Sequence, residues 1–537
     1  MLKNRSNRKL WKTSRKAAKG PRVLLGTSMG DFQHVVTLDY VLALSLTLRN
    51  ARVEILLCDQ AMPACQMTKH AIYETEEFLK NKDRTPRCSR CHRSAKNRFG
   101  DFGLPIHWFG RYLSRKDKKT ASELAARVPF DEISQWTWEG MKVGEHAHAG
   151  ALRYFARGNL DQEPQGEAVL RRYLRAALLT VFAFRKVLQK HGYEVVCLTH
   201  GIYVPQGLLV EVCKKMGVRV VTWNPSYRDK TFIFSHEDTY HHTMISEPVS
   251  AWENMTWDEQ REAQTLAYLE SRWHGTKDWI WFHHEPVTDL ETVQKEVGID
   301  LSKPTIGMLT SVVWDAQLHY ESNAFKDMMD WVLKTVEYFS KRTDLQLLIR
   351  VHPAEIHGLI PSRQKAADEI RLAFPNLPAN IFVVAPESPA STYALMEHCN
   401  AVIIYNTKTG IEISAMGIPV VVAGEAWIRN KGFCVDVNSA QHYLKVLDAL
   451  PFSQRLAPDE LLRAKKYAHH FFFRRMIEVP FIQSMPKNKF KIQLENLTDL
   501  YPGRFPGLDV ICAGIVSGKP FFAESPLAES LKEKEYV

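Results

Sequence analysis

The chain has 537 residues, of which 45% are hydrophobic and 24% are charged, and its formal net charge is +10. This composition excludes a wholly disordered chain, and the length predicts two or more domains. The apolar runs are shorter than the ~18 residues of a membrane-spanning helix. Nine cysteines without a regular spacing argue against a disulfide scaffold.

The first 20 residues hold eight basic side chains and no acidic one. They lack the apolar stretch of a secretory signal, so we expect a cytoplasmic protein. We predict that this segment is a disordered basic tail. The alternative is an anchor that binds anionic lipid headgroups, which would make the protein peripheral at the inner face of the cytoplasmic membrane. The rest of the chain is nearly balanced in charge, so we expect no nucleic acid partner.

Short β-branched runs alternate with helical stretches along the chain, which predicts an α/β protein with parallel sheets. The predicted strands span residues 22–26, 52–59, 194–200, 219–224, 305–310, 345–352, 381–385, 401–406 and 419–424. The predicted helices span residues 32–49, 167–190, 325–340, 410–416 and 458–475, with a further candidate at 488–500.

The strands fall into two groups, which predicts two Rossmann-like domains facing each other across a cleft. We place the first Rossmann-like domain at residues 21–290 and the second at residues 291–450, after the tail of residues 1–20. Residues 451–537 are C-terminal helices and a tail that pack back on the N-terminal domain. Ligands of such sheets bind at the carboxyl ends of the strands, so the loops that follow the strands are the places to look for chemistry.

The loop after the strand at 345–352 carries the first candidate site. Pro353 ends the strand, which places the His352 imidazole at the sheet edge with Arg350 and Glu355 nearby in sequence. We predict that His352 donates a hydrogen bond to a phosphate group that gains charge in the transition state. The alternative is that His352 only caps the strand and bonds a backbone carbonyl.

The loop after the strand at 401–406 carries the second candidate site. Backbone N–H groups at a helix start, together with the hydroxyls of Thr407 and Thr409, form a phosphate site. Glu412 would accept a hydrogen bond from a sugar hydroxyl. The spacing of Thr409 and Glu412 also fits a capping box, and the two interpretations are compatible. The predicted donor-binding residues are Arg350, Pro353, Glu355, Ser391, Thr392, Asn406, Thr407, Lys408, Thr409, Gly410 and Glu412.

If the predicted phosphate site binds the donor of a group-transfer reaction, the first half of the chain should supply the acceptor site and a base. Asp31 follows the first predicted strand and would deprotonate an acceptor hydroxyl if partial burial raised its pKa. The alternative is that Asp31 caps the next helix. His34 and His200 are weaker candidates for the same base. We predict that His34, His200 and Arg228 contact the acceptor, although an ordinary polar loop explains Arg228 equally well.

No Asp-x-Asp triplet occurs in the chain, so we expect no metal at the donor phosphate and no cofactor. The motif Cys88-x-x-Cys91-His92 fits c-type haem attachment, which requires an exported protein. Zinc bound by Cys88 and Cys91, with Cys58 or Cys65, is a second alternative. We expect reduced thiols in a polar loop.

Residues 310–432 resemble the second half of the bacterial capsule polysaccharide biosynthesis family, which includes Kdo transferases. The matching pieces are Val313–Ala316, Arg350–Glu355, Ser391–Thr392, Asn406–Glu412 and Gly417–Val421. The resemblance implies a glycosyltransferase of the GT-B architecture, and several members use CMP-activated acidic sugars. In bacterial sialyltransferases with a similar His-Pro motif, the histidine contacts the nucleotide phosphate. Carried over, His352 takes that role, and Thr407, Thr409, Gly410 and Glu412 line the donor site.

The resemblance implies transfer of a sugar from a nucleotide donor to a glycan or lipid-linked acceptor during surface polysaccharide synthesis. It makes residues 21–290 the acceptor domain and residues 291–450 the nucleotide-sugar domain. Two alternatives remain open. One is a glycerophosphotransferase of the teichoic-acid type, which has a similar second domain. The other is a non-catalytic polysaccharide assembly protein that keeps the same fold.

Overall fold

The computed structural model describes residues 2, 4–273, 278, 286–318, 320, 322–485 and 489–523. The chain divides into two compact units. The described residues of Met1–Phe155, Leu160–Thr243 and Arg474–Glu524 form the first unit, and those of Ala156–Asn159 and Met244–Phe473 form the second. The domain limits expected at 290 and 450 stay predictions.

The strands of the described residues are, in chain order, β1 (Arg22–Ser28), β2 (Arg52–Leu57), β3 (Ile106–Trp108), β4 (Val195–Thr199), β5 (Arg219–Pro225), β6 (Thr231–His236), β7 (Thr305–Leu309), β8 (Gln346–Arg350), β9 (Ile381–Val384), β10 (Ala401–Ile404), β11 (Val420–Val422), β12 (Val435–Asp436), β13 (Ile477–Glu478), β14 (Ile482–Met485) and β15 (Lys489–Ile492).

The helices of the first half are α1 (Arg5–Ala17), α2 (Gln33–Leu48), α3 (Thr75–Lys80), α4 (Cys88–Phe99), α5 (Arg115–Arg127), α6 (Val143–Phe155), α7 (Gly166–His191), α8 (Gln206–Met216) and α9 (Tyr240–Ser246). Those of the second half are α10 (Glu259–Trp273), α11 (Leu290–Val297), α12 (Met328–Phe339), α13 (Ala354–His357), α14 (Ala366–Ala373), α15 (Thr392–Glu397), α16 (Thr409–Ala415), α17 (Ala440–Asp448), α18 (Pro458–His469) and α19 (Pro506–Ser517). A π-helical turn, His470–Arg475, continues α18.

The first unit is built on a seven-stranded sheet in the order β13-β6-β5-β4-β1-β2-β3. Strands β1 to β5 are parallel, while β6 pairs antiparallel with β5 and β13 pairs antiparallel with β6. Helix α2 joins β1 to β2, and most of its residues are buried. This is a Rossmann-like arrangement with two antiparallel strands added at one edge.

The second unit is built on a six-stranded sheet in the order β12-β11-β10-β7-β8-β9, and all of its pairs are parallel. Strands β7, β8, β10 and β11 are buried along their whole length. Continuous burial explains their Val, Ile and Leu content, because helices cover both faces of a parallel sheet.

All nine predicted strands are present, and so are the five firmly predicted helices. The α/β fold with two Rossmann-like domains is therefore confirmed. The helix suggested at 488–500 is wrong, since the described residues there form strand β15 and a 3-10 turn at Leu497–Leu500. The segment Lys489–Ile492 alternates polar and apolar residues, which is the period of a strand.

The prediction of a disordered tail is wrong, because Arg5–Ala17 form helix α1. Trp11 is 4% exposed, its indole N–H donates to the carbonyl of Phe102 at 2.8 Å, and the two rings lie 5.6 Å apart. The side chain of Asn7 accepts from the N–H of Leu497 and donates to the carbonyl of Glu495. One buried tryptophan and one buried amide therefore attach this basic helix to the first unit.

The C-terminal segment returns to the first unit. Ile477 and Glu478 pair with β6, and the guanidinium of Arg219 donates to backbone carbonyls of α19. The expected packing of C-terminal helices on the first domain is confirmed for α19, whereas α18 packs with α10 and α16 in the second unit. No helix within the described part of the chain combines the length and hydropathy needed to cross a bilayer.

Candidate donor and acceptor sites

Strands β10, β7, β8 and β9 are neighbours in the second sheet, so the loops that follow them meet at one edge. Two hydrogen bonds join these loops. The N–H of His352 donates to the hydroxyl of Thr310 at 3.0 Å, and the hydroxyl of Ser311 donates to the side-chain carbonyl of Asn406. The structure therefore brings His352 and Asn406 to the same edge, as the sequence predicted.

The tautomer of His352 follows from its surroundings. Its Nδ1 accepts the N–H of Ala354 at 3.0 Å, so Nε2 carries the proton of the neutral ring. Burial lowers the pKa of His352 to about 4, and the charges of Lys408 and Arg350 add to this effect. The ring is half-buried. At neutral pH it is an uncharged imidazole with an Nε2–H donor, which suits hydrogen bonding to a phosphate oxygen.

Arg350 is 2% exposed and holds the neighbouring loop in place. Its guanidinium donates to the carbonyls of Ala385 at 2.5 Å and Ser388 at 3.0 Å, and its Nε lies 3.4 Å from the hydroxyl of Thr392. Ser391 caps α15 by accepting the N–H of Ala394 at 3.4 Å. These polar groups thus stabilise the conformation of the loop itself. Their role in donor binding stays a prediction.

Glu355 lies in the short helix α13, directly after Pro353, and is fully buried. One carboxylate oxygen accepts the N–H of Ala366 at 3.1 Å, while the other is buried without a hydrogen-bond partner. Burial raises the pKa of Glu355 to about 7. This carboxyl group therefore changes its charge near neutral pH.

Replacing Glu355 by glutamine is expected to change the pH dependence of stability. Because the folded pKa lies above the unfolded one, the wild type loses stability as pH rises between them, from roughly 4.5 to 7. Between about pH 4 and pH 8, the variant should gain roughly 3 kcal/mol relative to the wild type. Urea unfolding across this range measures the difference. The exposed Glu76→Gln variant serves as the control, and parallel curves for E355Q and wild type would contradict the prediction.

The loop after β10 departs from the predicted capping box. Helix α16 begins at Thr409, and Lys408 occupies the cap position without a side-chain hydrogen bond. The hydroxyl of Thr407 accepts the N–H of Thr409 at 3.4 Å instead. A Cβ atom on Gly410 would lie 2.6 Å from the Cδ1 of Ile404, so a larger residue here would displace that side chain. The capping box is wrong, and the phosphate site at this turn stays a prediction.

Glu412 is the centre of a buried ion network. The ammonium of Lys408 donates to one carboxylate oxygen at 2.6 Å, Arg272 pairs with the same oxygen, and the hydroxyl of Tyr393 donates to the other at 2.7 Å. Burial alone would raise the pKa of Glu412, but Arg272 and Lys408 lower it. The carboxylate therefore stays ionised, with protein partners on both oxygens.

Sequence reasoning missed Arg272 and Tyr393. Arg272 belongs to α10, which is separated by more than a hundred residues from the other members of the network. No spacing rule connects such positions. Tyr393 directly follows the Ser391-Thr392 pair, and that proximity was the one available signal.

In the first unit, Asp31 follows β1 and pairs with the guanidinium of Arg90 at 3.1 Å. Its side chain is only 7% exposed. Helix α2 begins at Gln33, and Phe32 occupies the cap position without a side-chain hydrogen bond, so the alternative of Asp31 as a helix cap is wrong. The role of Asp31 as a base stays a prediction.

His200 follows β4 in the left-handed region, with φ of 67°, which a residue other than glycine seldom adopts. Its Nδ1 is buried without a hydrogen-bond partner. Burial lowers the pKa of His200 to about 3, and nearby Arg153 and His34 lower it further. Strain together with an unpartnered polar atom is typical of a ligand site. Arg228 lies in the hairpin turn between β5 and β6, where its carbonyl accepts the N–H of Thr231.

Comparison with known proteins gives a match to a family model within the second unit. Residues 290–462 match the profile of a family described as "Capsule polysaccharide biosynthesis protein". The resemblance predicted for residues 310–432 is thereby confirmed. No curated protein matches the chain in sequence.

Solved structures with similar folds include a KpsC beta-Kdo 2,4 transferase of Thermosulfurimonas dismutans, with 11% identity over 58% of this chain and 88% of that one and a TM-score of 0.34. A UDP-GlcNAc 2-epimerase from Neisseria meningitidis has 9% identity over 84% and 94% of the two chains and a TM-score of 0.23. The calicheamicin glycosyltransferase CalG4 has 12% identity over 84% and 94%, with a TM-score of 0.25.

Proposed function

Because residues 290–462 match the capsule polysaccharide biosynthesis family, we propose that the protein is a glycosyltransferase of bacterial surface polysaccharide synthesis. It would transfer a sugar from a nucleotide-activated donor, such as a CMP-linked acidic sugar, to a glycan or lipid-linked acceptor. The observation that carries the proposal is the neutral, Nε2-protonated His352 at the carboxyl edge of the second sheet. We place its action at the cytoplasmic side of the membrane, with no cofactor.

In this reaction the bond between the sugar's anomeric carbon and the donor phosphate breaks, and the phosphate oxygen keeps the electron pair. His352 stabilises the resulting charge by a hydrogen bond from Nε2, which is stronger in the transition state than in the ground state. An acceptor hydroxyl forms the new bond to the anomeric carbon and gives its proton to a base, a role we assign to Asp31. The missing Asp-x-Asp triplet supports a mechanism without a metal clamp on the phosphate.

A panel of CMP-, UDP-, GDP- and CDP-linked donors tests the proposal. We expect one nucleotide sugar to raise the melting temperature and to be hydrolysed slowly without an acceptor. Stabilisation by CDP-glycerol alone would indicate a glycerophosphotransferase instead. If no nucleotide changes the melting temperature, the protein is a non-catalytic assembly component with this fold.

The basic helix α1 supports an anionic membrane surface as a further partner. Arg5, Lys9, Lys12 and Lys16 are exposed and recur at helical spacing, so they share one face, while Trp11 packs inward. Each basic side chain near an anionic membrane contributes about 1 kcal/mol to binding.

Replacing Lys9, Lys12 and Lys16 together by glutamine should weaken binding to phosphatidylserine vesicles by about a hundredfold at low salt. Co-sedimentation with vesicles measures the effect. Trp11 remains in place, so the melting temperature should not change. The same three replacements at Lys116, Lys118 and Lys119 of α5 provide a matched control, and equal losses in both variants would remove the special role of α1.

A further inference from the structure

A cavity of about 870 Å³ lies in the first unit beside helix α1. It is lined by Arg8 and Trp11 of α1, Tyr40 of α2, and Ser94 and Arg98 of α4, and we call it the α1–α4 cavity. Its volume lies within the roughly 300–1,000 Å³ that is usual for small-molecule sites. None of the residues discussed above for the donor, the acceptor or the base lines this cavity.

Buried aromatic rings close the inner side of the α1–α4 cavity. The ring of Phe102 lies 5.6 Å from that of Trp11 and 4.5 Å from that of Tyr40. Trp11 and Phe102 are almost fully buried, and the hydroxyl of Tyr40 accepts a hydrogen bond from the backbone of Leu2. These contacts fix the shape of the cavity in the protein alone, so a ligand meets a largely preformed site.

Arg98 brings to this cavity a positive charge that forms no ion pair within the described chain. Its guanidinium lies over the ring of Tyr40, 5.8 Å from the ring centroid, and donates no hydrogen bond to the described residues. By contrast, Arg15 of α1 donates to the carbonyl of Phe102 at 2.7 Å. The half-buried guanidinium of Arg98 is therefore suited to an anion, and its planar fork of N–H donors fits a phosphate group.

Both helices beside the cavity, α1 and α4, are basic and contain no acidic residue. Helix α4 takes the place of the polar loop that we expected around Cys88 and Cys91. At about 100° per residue, Arg8 lies on α1 between the buried Trp11 and the exposed basic face of that helix. An anion in the α1–α4 cavity is therefore at the border of the surface that we propose meets the membrane.

Among the described residues that line the cavity, Asp101 is the one acidic side chain. It is exposed and comes shortly after Arg98 in the chain. A carboxylate beside a phosphate site repels a bare phosphate ion, whereas it attracts a ligand that also carries a positive charge. The headgroups of phosphatidylethanolamine and phosphatidylserine carry a phosphate and an ammonium group a few bonds apart. Guanidinium and carboxylate groups in one cavity are complementary to this pair of charges.

We propose that the α1–α4 cavity binds the headgroup of a membrane phospholipid that carries both a phosphate and an ammonium group. Arg8 and Arg98 hold the phosphate, and Asp101 pairs with the ammonium. Ser94 and Asn97, which also line the cavity, add hydrogen-bond donors. The inference builds on the membrane contact proposed for α1 and does not depend on sugar transfer. It goes beyond that contact, because a single lipid occupies a shaped site instead of meeting a charged surface.

Isothermal titration calorimetry of the full-length protein with dihexanoyl phosphatidylserine, kept below its micelle concentration, tests the inference. We expect saturable binding of one lipid per chain. Arg98→Gln should weaken this binding by about tenfold or more, because a charge-assisted hydrogen bond to the phosphate is lost. Arg93→Gln removes an exposed arginine of α4 that does not line the cavity, and its affinity should stay within about twofold of the wild type.

Two further ligands identify the chemistry that the cavity recognises. Dihexanoyl phosphatidic acid lacks the ammonium group and should bind the wild type more weakly than phosphatidylserine. Asp101→Asn should remove most of that difference. Inorganic phosphate should bind more weakly still. If inorganic phosphate binds as tightly as the lipid, or if D101N keeps the full preference for phosphatidylserine, the phospholipid assignment is wrong.

A variant that fills the cavity tests the place of binding without a change of charge. Asn97 is exposed and lines the cavity, so Asn97→Trp should abolish lipid binding while the melting temperature stays near that of the wild type. Ser122→Trp adds similar bulk at an exposed position of α5 and should bind the lipid normally. Full binding in N97W would overturn the proposal, as would equal losses in R93Q and R98Q or a wild type without saturable binding.

The titrations contain no sugar donor, no acceptor and no vesicle. Failure of the lipid to bind would therefore leave the proposed transferase activity and the basic face of α1 untouched. Conversely, a protein without transferase activity that binds the lipid in this cavity would still support the inference.

Discussion

The His352→Ala variant is expected to lose about 10²-fold in turnover with the donor identified by the panel, while its melting temperature stays within a few degrees of the wild type. The loss arises because the Nε2–H donor disappears at the moment when charge develops on the phosphate oxygen. The ring is only half-buried, so its removal leaves the sheet intact. Rates of nucleotide release at saturating donor measure the effect.

Two comparisons make this result specific. His357→Ala removes an exposed imidazole five positions away, in α13, and should leave turnover unchanged. His352→Gln keeps a hydrogen-bond donor and should recover part of the lost rate. If H352A turns over at the wild-type rate, His352 has no role in the mechanism. Equal losses in H352A and H357A would indicate a disturbed loop rather than a missing donor.

The Glu412→Gln variant is expected to lower the free energy of unfolding by about 3–5 kcal/mol. Arg272 and Lys408 are held by this carboxylate. A neutral amide leaves Lys408 buried without a counter-charge and leaves Arg272 with Asp278 as its one remaining carboxylate partner among the described residues. The change lies in the core of the second unit, so its unfolding transition should move to lower urea concentration. Tryptophan fluorescence during urea denaturation measures the shift.

A matched control and a double mutant separate the network from an ordinary surface pair. Glu337 forms exposed pairs with Lys334 and Lys341, and E337Q should cost less than about 1 kcal/mol. Adding Lys408→Met to Glu412→Gln should restore part of the stability, because one unpaired cation is then absent. Additive losses in the double variant would contradict the network.

Local patterning was enough to predict much of the architecture. The strands β7, β8, β10 and β11 are short apolar runs followed by polar turns, and runs of this length bounded by turns are typical of buried strands. The short strands β3 and β12 were not predicted, because two or three residues are too few to show the alternating pattern of a strand. Helix α1 was not predicted because the eight basic side chains of residues 1–20 resemble a solvated tail, and only two buried residues, Trp11 and Asn7, attach the helix.

For the candidate donor site too, the sequence predicted the local features but not the contacts between distant segments. The sequence by itself determined that His352 follows one strand, β8, and that Asn406 follows another, β10, because a proline and a hydroxyl-rich turn end those strands locally. Only the tertiary structure decided that Arg272 neutralises Glu412. Burial and charge pairing between distant segments depend on how the helices pack. Residues that meet through packing have no fixed spacing in the sequence, so a sequence pattern cannot predict them.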